Sequence, residues 1–165
     1  MDLEFLKKTV SKKQNFYTKK VVLKVKKLPH FKGDLPSYQS ESASGFDVQA
    51  QLKSPLYLKS LERTMIPTGL IFEIPNGFEL QVRPRSGLSL KKGLSIPNSP
   101  GTIDSDYRGE LKIIVVNLSS KIVVIENQQR IAQVVLSPVF QAQLQWADKL
   151  SSTQRGAGGF GSTGV

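Results

Sequence analysis

Residues 63–83 read RTMIPTGLIFEIPNGFELQVR, and the fold class is predicted from this stretch. Three short β-rich runs, Arg63 to Ile66, Leu70 to Glu73 and Phe78 to Arg83, are separated by Pro-Thr-Gly and Pro-Asn-Gly. β-Branched and aromatic residues favour strands, whereas proline and glycine favour turns. Several short strands at this spacing are typical of an all-β sandwich or barrel.

The same alternation of strand and turn continues on both sides of that stretch. The polar segment from Leu35 to Ser44 is predicted to be a loop, and a single short helix is predicted from Leu88 to Lys92, before Gly93. Met65 is expected in the core, and Phe140 and Trp146 are expected to pack near the final strand. Further strands are predicted at Val21 to Lys26, Phe46 to Ala50, Leu111 to Val116, Ile122 to Ile125 and Ile131 to Leu136.

Composition limits both the fold and the chemistry. The length of 165 residues suits one domain, divided here into a basic extension (1–20), a β-barrel domain (21–150) and a glycine-rich arm (151–165) that is expected to be mobile without ligand. The chain has no cysteine and one histidine, which excludes disulfides, thiolate zinc sites, cysteine nucleophiles and multi-histidine metal clusters. No apolar run is long enough to cross a membrane, so we expect a cytoplasmic protein.

The positive charge is concentrated at one end of the chain. Formal net charge is +10, and residues 1–32 supply +8 of it through ten lysines and two acidic residues. A lysine-rich arm attracts polyanions whatever the fold beside it. Because the rest of the chain is nearly neutral, we expect at most weak nucleic-acid contacts through this arm.

The first motif with chemical potential is Arg85-Ser86-Gly87, which directly follows a predicted strand. Arginine offers a planar fork of donors to phosphate oxygens, serine offers a hydroxyl, and glycine lets the backbone approach a ligand. The tripeptide alone is more typical of an ordinary surface turn.

The second motif is GTIDSDYRG, residues 101–109. It is predicted to form a β-hairpin with the strand that begins at Leu111, and alternation would place Asp104 and Asp106 on one face. The functional interpretation is a carboxylate held near a substrate with the ring of Tyr107 beside it. The alternative is an acidic turn whose carboxylate binds backbone amides.

The third motif is the glycine-rich tail RGAGGFGSTG, residues 155–164. It contains G-x-G-x-x-G, but no helix and no acidic residue follow, so a dinucleotide-binding fingerprint is excluded. The absence of Gly-Lys-Ser or Gly-Lys-Thr excludes a P-loop. An arginine, hydroxyls, free amides and an aromatic ring are suited to wrapping a triphosphate and covering a base. A disordered tail has the same composition.

Two shorter patterns complete the set. Asp47 stands near the start of a predicted strand, after Gly45 and Phe46. In Arg130-Ile131-Ala132-Gln133, regular alternation places Gln133 on the same face as Ile131. Either pattern can be purely structural.

Taken together and in this order, the five segments resemble those of the trimeric dUTP diphosphatases (dUTPases), from about Val21 to Val165. The resemblance implies a distorted jelly-roll β-barrel that assembles as a homotrimer with exchanged C-terminal arms. It also implies active sites at subunit interfaces. One subunit would supply Asp47, Arg85, Ser86 and Gln133, a second the segment from Asn98 to Tyr107, and a third the tail from Arg155 to Thr163.

The reaction implied by the resemblance is hydrolysis of dUTP to dUMP and pyrophosphate. Asp104 would orient and deprotonate the water that attacks the α-phosphorus, and Mg²⁺ would chelate the triphosphate while Asp47 holds its water shell. Tyr107 would exclude a ribose 2′-hydroxyl, and Phe160 would stack on the base. The implied substrate-binding residues are Arg85, Ser86, Gly87, Asn98, Thr102, Ile103, Tyr107, Gln133, Arg155, Phe160, Gly161, Ser162 and Thr163.

Three other functions stay open at this point. A dCTP deaminase would share the barrel and the trimer and would release ammonia from dCTP. A non-catalytic barrel that binds nucleic acid through its basic arm would leave dUTP intact, and its affinity for nucleic acid would fall steeply as the salt concentration rises. A trimeric regulatory binder built on an intact enzyme is also compatible with the sequence.

Overall fold

The structure, a computed structural model, describes residues 21–159, and the regular elements in this part of the chain are short strands and one short helix. No helix within it has the length and apolar character that crossing a membrane requires. In chain order the elements are β1 (Lys24–Lys27), β2 (Phe46–Gln49), β3 (Leu56–Leu58), β4 (Arg63–Pro67), β5 (Leu70–Glu73), β6 (Phe78–Pro84), α1 (Ser86–Lys92), β7 (Leu94–Ser95), β8 (Gly101–Ile103), β9 (Lys112–Asn117), β10 (Val123–Ile125) and β11 (Arg130–Pro138).

The strands pair in an antiparallel sense and form small sheets around one core. One sheet has the order β2-β11-β6-β8 and another the order β4-β9-β7, while β1 pairs with β5 and β3 with β10. Most partners are distant in sequence, so the barrel depends on long-range pairing. The largest fully buried side chains are aliphatic: Leu58, Ile66, Leu70, Ile74, Leu80, Leu111, Ile113, Ile125, Ile131, Val48, Val115 and Val134.

The eight strands predicted from the sequence are confirmed, with shifted ends. The first begins at Lys24 rather than Val21, and the helix begins at Ser86 rather than Leu88. Strands β3 and β7 are not predicted because two or three residues are too few to show a periodic pattern.

A buried asparagine ties β9 to its surroundings. The Asn117 amide nitrogen donates to the carbonyl oxygens of Leu58 at 2.9 Å and Lys121 at 2.7 Å. Its side-chain oxygen accepts hydrogen bonds from the backbone amide and the hydroxyl of Ser119. Because every polar atom of this fully buried side chain has a partner, its burial is compatible with a stable core.

The expected positions of three apolar side chains are wrong for the single chain. Met65 is 57% exposed, because alternation along β4 sends its neighbour Ile66 into the core. Phe140 and Trp146 are also almost fully exposed instead of packing near the final strand. Met65 lies opposite Ile114 on the outer face of the β4-β9-β7 sheet. A single copy therefore leaves apolar side chains uncovered.

Candidate active site

The four-stranded sheet brings together three residues predicted to act on the triphosphate. Asp47 on β2 is the direct cross-strand partner of Gln133 on β11, and Gln133 also pairs with Arg83 on β6. Arg85 follows β6 and stands at the N-cap of α1. The predicted grouping of Asp47, Arg85 and Gln133 on one part of the surface is therefore consistent with the structure.

The Asp47 carboxylate contacts two arginines. Its Oδ1 accepts a hydrogen bond from Arg85 Nε at 3.1 Å, and its Oδ2 lies 3.3 Å from Arg130 Nη1. The Asp47 side chain is only 13% exposed. One carboxylate between two guanidinium groups leaves a net positive charge, which attracts phosphate. Sequence reasoning did not single out Arg130, because regular alternation would place a residue three positions before Gln133 on the opposite face.

A β-bulge on β11 overturns the expected orientation of Gln133. Arg130 lies opposite Gln49, but Ala132 lies opposite the next residue of β2, Val48, so Ile131 is an extra residue in the ladder. Ile131 and Ala132 are both buried, whereas Gln133 is partly exposed opposite Asp47. Gln133 therefore does not share a face with Ile131, because the bulge interrupts the alternation on which that prediction rested.

Ser86 and Gly87 form the first turn of α1 and are exposed. The Arg85 carbonyl accepts the backbone amides of Leu88 and Ser89, which closes this turn. The helix ends at Lys92 and is capped by Gly93, whose φ of 66° lies in the left-handed region that favours glycine. Ser86 and Gly87 thus lie beside Arg85 at a fixed position.

The segment that carries Asp104 is not one arm of a β-hairpin, so that prediction is wrong. Strand β8 pairs with β6, whereas β9 pairs with β4 and β7 in a different sheet. Residues 104–111 carry the chain from one sheet to the other, beginning with a turn in which the Tyr107 amide donates to the Asp104 carbonyl at 3.2 Å. Asp104 and Asp106 are both exposed and line the same open cavity beside Glu79.

The residues predicted to select the nucleoside lie along this segment. Thr102 and Ile103 on β8 lie opposite Gln81 and Leu80. The Tyr107 hydroxyl donates to the Glu110 carbonyl at 3.1 Å. The ring of Tyr107 lies so close to Gly109 that a Cβ at this position would overlap it.

Asn98 also lies against a glycine of this segment. A Cβ at Gly101 would lie 3.0 Å from Asn98 Nδ2, so the Asn98 side chain lies over the start of β8. Its amide group, which the resemblance assigns to substrate binding, is therefore close to the backbone of Gly101.

Within one chain, Asp104 and Asp47 lie at opposite edges of the four-stranded sheet. Three strand spacings separate β2 from β8, roughly 14 Å. Asp104 follows Ile103, the partner of Leu80, whereas Asp47 is level with Arg83, which adds roughly 13 Å along the strands. These two carboxylates therefore cannot act on the same phosphates within one copy.

The sequence and the structure both match known dUTPases. A dUTPase family model matches residues 32–164. The chain is 62% identical over 145 residues to the deoxyuridine 5′-triphosphate nucleotidohydrolase of Bdellovibrio bacteriovorus, covering 88% of this chain and 97% of that protein. The chain belongs to the dUTPase family. The enzyme of the same name from Aquifex aeolicus is 57% identical over 147 residues, covering 88% of this chain and 98% of its own.

Solved dUTPase structures share the fold of this family member. The Staphylococcus bacteriophage 80α dUTPase with dUpNHpp is 26% identical and superposes with a TM-score of 0.74, covering 87% of this chain and 99% of its own. A mutant of the 80α phage dUTPase is 27% identical, with a TM-score of 0.75 and coverage of 86% and 98%. The all-β fold expected from the resemblance is thereby confirmed.

The dUTPase match extends through the glycine-rich tail, of which the structure describes the first part. Arg155 is exposed, and its Nε donates to the Gly158 carbonyl at 2.8 Å within a local turn. The other predicted tail residues lie outside the described range: Phe160, Gly161, Ser162 and Thr163.

Proposed function

We propose that this member of the dUTPase family hydrolyses dUTP to dUMP and pyrophosphate at sites shared between copies of the chain in a homotrimer. Both curated relatives named above are called deoxyuridine 5′-triphosphate nucleotidohydrolases, which favours this reaction over dCTP deamination. The reaction removes dUTP, a source of uracil in DNA, and supplies dUMP for dTMP synthesis. The cytoplasm is the expected location.

The separation of Asp104 from Asp47 is the observation that carries the shared site. A general base must lie within hydrogen-bond reach of the water that it activates. That water and a metal chelated by the same triphosphate both lie within a few ångströms of the α-phosphate. Because one copy holds the two carboxylates at opposite sheet edges, Asp104 of one copy must meet Asp47 and Arg85 of another.

Asp104 has the role of placing the attacking water. It is exposed on a turn, so its carboxylate is accessible to a nucleotide held by a second copy. A carboxylate is a weak base, and most of its effect comes from orientation, which supplies up to about 7–11 kcal/mol in well-ordered reactions. The water oxygen bonds to the α-phosphorus, the water proton passes to Asp104, and pyrophosphate leaves.

The residues around Asp47 fit a hydrated Mg²⁺ that arrives with the nucleotide. Within residues 21–159 no group of three acidic or histidine side chains is placed to hold a metal ion directly. Magnesium commonly keeps several waters and binds through one carboxylate plus substrate phosphates. Asp47 would accept hydrogen bonds from those waters. When bound, the ion would neutralise charge on the phosphates.

The remaining side chains divide between phosphate and nucleoside. Arg85, Gln133 and Arg155 donate to phosphate oxygens, with Ser86 and Gly87 beside the leaving group. At the nucleoside end of the substrate, Tyr107 fills the space that a ribose 2′-hydroxyl would need. Asn98, Thr102 and Ile103 lie along the edge of the uracil ring. The tail of a third copy supplies Phe160 for stacking on the base and Gly161, Ser162 and Thr163 for the phosphates.

Subunit complementation tests the shared site. Arg85→Ala and Asp104→Asn are each expected to release almost no pyrophosphate from dUTP as pure proteins. After mixed refolding at equal amounts, random trimers should regain roughly a quarter of wild-type activity, because that share of sites pairs an intact Arg85 with an intact Asp104. Wild-type protein and the Asp104→Asn variant, each refolded alone by the same procedure, are the controls.

A mixture that stays inactive while both proteins co-assemble would contradict the shared site. The reaction itself is tested separately with ¹⁸O-labelled water. Attack at the α-phosphorus places the label in dUMP, whereas label in pyrophosphate would refute the proposed chemistry.

A further inference from the structure

Arg130 is the third member of a closed ring of contacts with Asp47 and Arg85. Its Nη1 lies 3.3 Å from Asp47 Oδ2, while Arg85 Nε donates to Asp47 Oδ1 at 3.1 Å. Arg85 Nη1 donates in turn to the Arg130 backbone carbonyl at 3.1 Å. Each carboxylate oxygen is thus held by a different arginine, and the two arginines are held to each other.

The β-bulge is what brings Arg130 into this ring. In a regular strand, residues three positions apart point to opposite faces. The extra residue Ile131 places Arg130 and Gln133, which are three apart, on the face that carries Gln49 and Asp47. Bulges next to active sites commonly re-aim side chains in this way. The bulge in β11 therefore positions Arg130 beside Asp47 in addition to burying Ile131 in the core.

The two arginines differ in what they are free to do. Arg85 is the predicted phosphate ligand, so a bound nucleotide would compete with Asp47 for its guanidinium group. A partly buried carboxylate that lost its only partner would lose its orientation and its stabilising charge. Arg130 keeps one oxygen of Asp47 engaged, and its carbonyl contact limits where Arg85 can turn.

We infer that Arg130 is a positioning residue that holds the Asp47 carboxylate in place for the magnesium–nucleotide complex while Arg85 binds phosphate. This inference rests on the proposed function. Arg130 acts through Asp47 and is not itself assigned a phosphate contact. Removing its side chain should weaken the advantage that Mg²⁺ gives to nucleotide binding.

Calorimetric titration with dUpNHpp, with and without Mg²⁺, provides a readout that is independent of turnover. For Arg130→Gln we expect affinity with Mg²⁺ to fall about 10- to 100-fold, the usual cost of losing a group that orients a metal-binding carboxylate. Affinity without Mg²⁺ should change much less. Arg130→Lys should recover part of the loss, since it keeps the charge but not the planar fork. Arg63→Gln, on another sheet, is the matched control and should bind as wild type does.

A double-mutant cycle with Asp47→Asn separates positioning from direct phosphate binding. In the Asp47→Asn background, Arg130→Gln should change affinity by less than about twofold, because the group that it positions is already altered. An equal loss in both backgrounds would overturn the inference, as would wild-type magnesium dependence in Arg130→Gln. Should Arg130→Gln not fold, Arg130→Lys replaces it in both backgrounds. Failure of the wild type to bind dUpNHpp would count against the proposed function instead.

Discussion

At the scale of single residues, Asp104 is the side chain on which turnover depends most in the proposed mechanism. Asp104→Asn keeps the shape of the side chain but removes the proton acceptor. We expect kcat to fall about 10²- to 10⁴-fold, the usual contribution of a general base. Affinity for dUpNHpp should stay within a few-fold of wild type. Pyrophosphate release and calorimetry measure the two quantities.

Asp106→Asn is the control for that experiment, because Asp106 is also exposed and lines the same cavity. It should retain most of the wild-type rate. Full activity in Asp104→Asn, or equal losses in the two variants, would remove Asp104 from its assigned role.

Gly109 is a residue whose importance is visible only in the structure. The Tyr107 ring lies against it, so Gly109→Ala must displace the ring. We expect the preference for dUTP over UTP, measured as the ratio of kcat/KM values, to fall on the order of tenfold as the sugar pocket widens. Tyr107→Phe keeps the ring and loses only the hydrogen bond to the Glu110 carbonyl, so it should be affected less. An unchanged preference in Gly109→Ala would show that Tyr107 does not shape the sugar pocket.

At the scale of strands, the junction before β2 is closely packed against β11. A Cβ at Gly45 would lie 2.7 Å from the Val134 carbonyl oxygen and 2.8 Å from Gln133 Cγ. Gly45→Ala should therefore lower the free energy of unfolding by about 1–3 kcal/mol and weaken nucleotide binding through Gln133. Urea denaturation and dUpNHpp titration measure the two effects.

Gly87→Ala is the matched substitution for the stability measurement, since nothing lies within 4 Å of its new methyl group. It lies in the helix α1, so stability should be unchanged or rise by about 0.5–1 kcal/mol. If Gly45→Ala and Gly87→Ala have the same free energy of unfolding, the close packing at Gly45 does not contribute to stability.

Strand positions were predictable because they depend on local alternation, and pairing partners were not. Residues 101–116 contain two short β-rich runs joined by a turn, which is the pattern of a hairpin, yet β8 joins β6 and β9 joins β4 and β7. The strands with which β8 and β9 pair depend on how β9 is buried against strands that are distant in sequence, and the local sequence does not encode this pairing.

The candidate site was predictable where the order of the motifs resembles that of a known family, and not where a residue acts through local geometry. Asp47, Arg85 and Gln133 were grouped by that resemblance, and the structure brings them together. The bulge at Ile131 was not, because one extra residue in a ladder leaves no mark in the alternation of a short strand. Arg130 was missed for that reason.

At the scale of the whole molecule, the tail is proposed to complete a neighbour's site without holding the assembly together. Deleting residues 151–165 should reduce turnover of dUTP to near the background rate while light scattering still reports a trimer. The exposed apolar side chains at Met65 and Ile114 lie outside the deleted segment and remain available for contact between copies. Dissociation into monomers on deletion would show that the tail is a structural strap.

The placement of catalytic groups at opposite sheet edges has a genetic consequence in the proposed trimer. Each chain contributes to more than one pocket, so a chain with lesions at both edges disables more pockets than it would if each pocket belonged to one chain. Co-expression of such a doubly defective allele with the intact gene would therefore depress activity more than the proportion of defective chains suggests. The doubly defective allele would therefore act as a dominant negative.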